Sequence, residues 1–87
     1  MNEMTLRGLL NLGSSDWARH TSRWLIIEVE VDGNDPEIII NPKTNFDAKL
    51  AYYKKAYNED LTLKANPNIK IIRYDFVEAI SDYFIFD

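Results

Sequence analysis

A single imidazole, that of His20, is available for acid–base or metal chemistry in this chain. Asp16 lies four residues earlier and could orient the ring, but no G-x-S-x-G turn supplies a nucleophile for it to activate. A histidine metal centre would need carboxylates to complete it, because the sequence contains no HxH or HxxxH pair. Glu28 and Glu30 share one face of a segment with β periodicity, as paired carboxylates do. No further acid or base stands where it would complete such a site, so the two read as solvent-facing strand residues. DGND at 32–35 holds part of a calcium loop, without the D-x-[DN]-x-[DN]-G spacing or the distal glutamate. The glycines, Gly8, Gly13 and Gly33, form no phosphate-cradling run. AYYKKAY at 51–57 mixes rings and cations as single-strand nucleic-acid binders do, yet Tyr53 and Tyr57 fall on an apolar helical face. The expectation is a protein with no catalytic group, no bound metal and no cofactor.

Binding chemistry is better supplied. Trp17, Arg19, Arg23 and Trp24 are of the residue types that dominate interface hot spots, although plugging the core is the commoner fate of a tryptophan such as Trp17 in so small a protein. The stretch WLIIEVEVDGNDPEIIINP, residues 24–42, carries Glu28, Glu30, Asp32, Asp35 and Glu37 with no Lys or Arg. Five acids and no base give it −5, against a net −4 for the whole chain. The next block, 43–58, sets four lysines against Asp47. Those lysines lie off the apolar face of their helix, so they should point to solvent and leave the acids uncompensated. Glu28, Glu30 and Asp32 are therefore expected to be exposed and free of intramolecular ion pairs. Reversing those three charges should leave the fold intact.

These residues need elements to hold them. Thr5–Leu12 sets Leu6, Leu9 and Leu10 on one helical face, with Gly13 as a stop and Gly8 as an internal weakness. Ser14–Arg23 is polar and reads as a loop or frayed strand. Trp24–Val31 alternates, with Leu25, Ile27, Val29 and Val31 on one face and Trp24, Ile26, Glu28 and Glu30 on the other. DGNDP turns the chain, Gly33 and Asn34 tolerating positive φ, into a second strand at Glu37–Asn41 that Pro42 ends. Thr44 with Asp47 has the form of a capping box for a helix ending near Asn58, whose buried face is Phe46, Leu50, Tyr53 and Tyr57. Asp60–Asn68 reads as a loop and Ile69–Tyr74 as a third strand. Asp75 and Glu78 then have the form of a cap for a final helix with Phe76, Val77, Ile80, Tyr83 and Phe84 as its apolar face. The expected architecture is a small α+β domain spanning 1–87, in the order α-β-β-α-β-α, with a three-stranded sheet and its antiparallel hairpin packed under helices.

Composition sets limits on function. A hydrophobic fraction of 46% with 28% charged residues is that of a globular chain, and 87 residues are too few for two cores. The absence of cysteine excludes disulfides and thiolate metal sites, which fits a cytoplasmic setting. Apolar runs such as Trp24–Ile27 and Tyr83–Phe86 are too short to span a bilayer, and MNEMTLRGLL lacks the form of a signal peptide. The net negative charge argues against direct binding to nucleic acid.

The pair of stretches WLIIEVEVDGNDPEIIINP and NFDAKLAYYKKAYNEDLTLK, covering 24–64, resembles the small accessory proteins of phages and prophages of Gram-positive bacteria. Several proteins of that kind are anti-CRISPR inhibitors: acidic, cysteine-poor and without catalytic machinery. The resemblance implies a non-enzymatic protein in the host cytoplasm that inhibits a defence nuclease. Its partner would be a host protein with a basic groove, such as a Cas nuclease, met by Glu28, Glu30, Asp32, Asp35 and Glu37. Trp17, Arg19 and Arg23 complete the candidate partner-binding set. The alternative is a structural or assembly component that forms a homo-oligomer through an uncovered sheet edge.

Overall fold

The computed structural model describes residues 3–84. Ile85 and Phe86, at the end of the last apolar run, lie outside the described residues. Four strands form one antiparallel sheet in the order β2-β1-β4-β3: β1 Trp24–Val31, β2 Glu37–Pro42, β3 Thr62–Leu63 and β4 Asn66–Val77. Helices α1, Leu6–Gly13, and α2, Phe46–Ala56, cover one face, and the short α3, Ile80–Tyr83, lies at the other. The α+β class agrees with the sequence, but the sheet has four strands where three were expected. The difference lies in the second half. The predicted loop at 60–68 contains β3, and the predicted third strand runs on to Val77.

β1 owes its central place to its alternation. Leu25, Ile27 and Val29 face α1 and α2, where they meet Leu6, Leu9, Phe46, Leu50, Tyr53, Ile71, Tyr74 and Phe76 in the main core. Ile26 points the other way, into a smaller cluster with Val77, Tyr83, Trp24 and Ile80. Phe46 and Phe76 meet edge to face with centroids 5.1 Å apart. The expected face of α2 is observed: Phe46, Leu50, Tyr53 and Tyr57 are all buried. The expected cap is not. Lys43–Asn45 forms a tight 3-10 turn, and Asn45, which precedes the helix, makes no side-chain cap. In that turn the Lys43 N–H is held by the Arg23 carbonyl at 2.9 Å, and the Phe46 N–H closes back on the Lys43 carbonyl.

Three local features depart from the sequence reading for physical reasons. Ser14–Arg23 is not a frayed strand; Trp17–Thr21 is a π-helical turn closed by the Ser22 N–H on the Trp17 carbonyl at 2.9 Å. It buries Ala18 and leaves Trp17 exposed. The hairpin turn sits one residue earlier than read, with positive φ at Asp32 (54°) and Gly33 (75°) and the Asn34 N–H on the Val31 carbonyl at 3.0 Å. Positive φ at both central residues is what the tight turn at 31–34 requires, and Asp-Gly is a favoured pair there, although the β1–β2 ladder itself ends at Val29 and Glu37. Asp75 does not cap a helix. Its segment pairs with β1, Ile26 opposite Asp75 and Trp24 opposite Val77, so β pairing overrides the helical spacing of Phe76, Val77 and Ile80.

Candidate binding surface

The outer hairpin brings the acidic block together, and the neighbouring strand divides it. Glu28 lies opposite Arg73 and Glu30 opposite Lys70 in the β1–β4 register. Glu28 pairs with the Arg73 guanidinium at 3.7 Å and accepts a hydrogen bond from the Tyr83 hydroxyl at 2.6 Å. The same guanidinium lies 4.1 Å from the centre of the Tyr83 ring, and its second nitrogen reaches the Tyr83 carbonyl at 3.4 Å. Glu28 is thus half-buried and doubly partnered, contrary to the expectation that it would be exposed and unpaired. The compensating cation comes from β4, not from the lysines of α2, and Glu30, half-buried opposite Lys70, makes no ion pair among the described residues. Burial, and then the hydrogen bond to Glu28, push the Tyr83 hydroxyl well above the ordinary phenol range.

Asp32, Asp35 and Glu37 are exposed and make no ion pair among the described residues. They flank a feature that the sequence reading passed over. β2 is an edge strand, bonded on one side to β1, and Ile38, Ile39 and Ile40 are 43%, 40% and 42% exposed. The signal was present in the sequence as an unbroken IIIN run between Pro36 and Pro42. Alternation cannot say which strand of a hairpin is the outer one, so by sequence the run reads only as a strand.

The Trp and Arg candidates do not converge. Trp17, 47% exposed, donates its indole N–H to the Phe76 carbonyl at 3.5 Å. Arg19 pairs with Asp47 of α2 at 3.1 Å, an exposed pair of little energetic weight. Arg23 lies with His20, Trp24, Lys43 and Glu78 around an open cleft of about 530 Å³. His20 makes no hydrogen bond to a side chain among the described residues. Among the described residues no group of three or more His, Asp or Glu side chains is placed to hold a metal ion. No helix is long and apolar enough to cross a membrane.

Comparison of the chain with protein-family models, with curated proteins and with solved structures returned no match.

Proposed function

We propose that this is a non-enzymatic binding protein that works through β2, the outer strand of its first hairpin. The observation that carries this reading is the run of three exposed isoleucines on an open sheet edge. Soluble domains usually blunt such an edge, because its free backbone groups invite strand addition. Asp32, Asp35 and Glu37 add polarity: a partner at the start of β2 has to bring positive charge. A phage-encoded inhibitor acting in the host cytoplasm, seated on the Lys- and Arg-rich groove of a defence nuclease, is the biological role that this chemistry and the resemblance of 24–64 favour. With Glu28 engaged by Arg73 and Glu30 half-buried, the exposed acids left to meet such a groove are Asp32, Asp35 and Glu37.

The test is DNA cleavage by a guide-loaded Cas nuclease of a Gram-positive host, titrated with the purified protein. Wild type should inhibit, and inhibition should weaken as salt is raised. Ile39→Lys, and separately the triple variant Asp32→Lys, Asp35→Lys, Glu37→Lys, should each relieve it. Cleavage untouched by wild type defeats the nuclease role. Equal inhibition by wild type and Ile39→Lys defeats β2 as the surface.

A further inference from the structure

We infer that the β2 edge is completed by a second copy of this chain, paired antiparallel to the first about a twofold axis near Ile39. This rests on the reading of β2 as the binding surface and names the occupant of its backbone edge; a nuclease groove would then meet the joined strands from outside that edge, through their side chains. The hydrogen bond from the Lys43 N–H to the Arg23 carbonyl sets the alternation of the β1–β2 ladder, whose register matches Trp24 with Pro42, Leu25 with Asn41 and so on to Val29 with Glu37. In an antiparallel ladder every second pair exchanges bonds. Asn41, Ile39 and Glu37 therefore bond to β1, and the N–H and C=O groups of Ile38 and Ile40 face outward. The outward-facing positions on either side of these two are Pro36 and Pro42, which have no N–H to offer.

A second β2, antiparallel and centred on Ile39, places Ile38 of each copy opposite Ile40 of the other. Every outward N–H then meets the outward carbonyl of a non-proline residue, and the prolines face each other where no donor is left unpaired. Charge selects the same orientation. The strand is approached through Asp35 and Glu37 and left through Lys43. Antiparallel pairing sets the acidic end of one copy beside Lys43 of the other, whereas parallel pairing would set acid against acid. The opposite side of the sheet offers no rival of this kind. β3 is a two-residue strand, and beyond it the N–H and carbonyl of Phe76 on β4 bond to the Asp75 carboxylate and the Trp17 indole. The contact is self-complementary and uses β2 of both copies, so it closes as a dimer and does not propagate into a filament. One continuous sheet then runs through both copies, with the isoleucines clustered at its centre.

Sedimentation equilibrium of the full chain, from about 1 μM to about 1 mM, tests this. The mass should rise from the 10.2 kDa monomer to twice that value. Exchange of the Ile38 and Ile40 amide protons should slow in step. Ile40→Lys should leave a folded monomer, with its fold checked by circular dichroism. Lys43→Glu, and separately Asp35→Lys with Glu37→Lys, should each weaken self-association by about tenfold, and mixing the two variants should restore it. A monomer at the highest concentration overturns the inference. So does a dimer indifferent to Ile40→Lys, or a mixture that associates no better than its parts. A monomeric wild type whose nuclease inhibition still depends on Ile39 removes the second copy alone and leaves β2 as the binding surface. A β2-dependent dimer with no effect on cleavage removes the nuclease role alone.

Discussion

Glu28 shows how a single side chain changes meaning once its neighbours are known. By spacing it belongs to the solvent face of β1, one of five like charges in a row. In the fold it is the acceptor for a hydroxyl on a residue that is 1% exposed, Tyr83, and the counter-charge of Arg73. Replacing Glu28 by Ala leaves the Tyr83 hydroxyl without its acceptor, at an expected cost of about 1–3 kcal/mol. Urea denaturation measures it, and an unchanged midpoint would show that water replaces the carboxylate. Tyr83→Phe should cost less, and the double variant less than the sum, because both remove one interaction. Reversal of Glu28 to Lys, unlike reversal of Asp32, is therefore expected to perturb the fold. None of this was legible locally, since Tyr83 lies 55 residues away in sequence.

At the scale of elements, periodicity was most informative where one face is buried and the segment is long. β1 and the face of α2 follow directly from their apolar spacing. The end of β4 did not, because Phe76, Val77, Ile80, Tyr83 and Phe84 match a helix and nothing nearby announces that β1 claims Phe76 and Val77 first. Gly8 in α1 looked like a flaw in a helix. It marks a close approach: the Tyr74 hydroxyl donates to the Glu3 carbonyl beside it, and a Cβ at position 8 would lie 2.6 Å from that carbonyl oxygen and 2.7 Å from the Tyr74 hydroxyl. Intrinsic propensity favours Ala over Gly in a helix by up to about 1 kcal/mol. The steric conflict should outweigh it, so Gly8→Ala is expected to destabilise by a net of about 1–3 kcal/mol. Thermal melting decides the sign, and a raised Tm would show that the segment around Glu3 yields.

For the molecule as a whole, alkali is the revealing perturbant. Burial is the leading cause of a raised phenol pKa at Tyr53, Tyr57, Tyr74 and Tyr83, and it pushes Tyr53 up to about 12. Above the ordinary phenol value of about 10 the unfolded chain gives up these protons while the folded chain keeps them. The unfolded state then binds fewer protons, so stability falls as pH rises from about 10 towards the folded values. Circular dichroism should show cooperative loss of structure in that window, and a native spectrum persisting beyond about pH 12 would contradict it. The order of the sheet was the least legible feature, because β1 takes its second neighbour from the far end of the sequence, pairing Trp24 with Val77 and Val31 with Ile69. That arrangement governs when the protein can fold during synthesis. A hairpin alone is marginal in water. β1 therefore leaves the ribosome with Leu25, Ile27 and Val29 uncovered, and it waits for Ile71, Tyr74 and Phe76 to follow. At about 5–20 residues per second this interval lasts for seconds, long enough for a chaperone to engage the nascent chain before its last strand arrives.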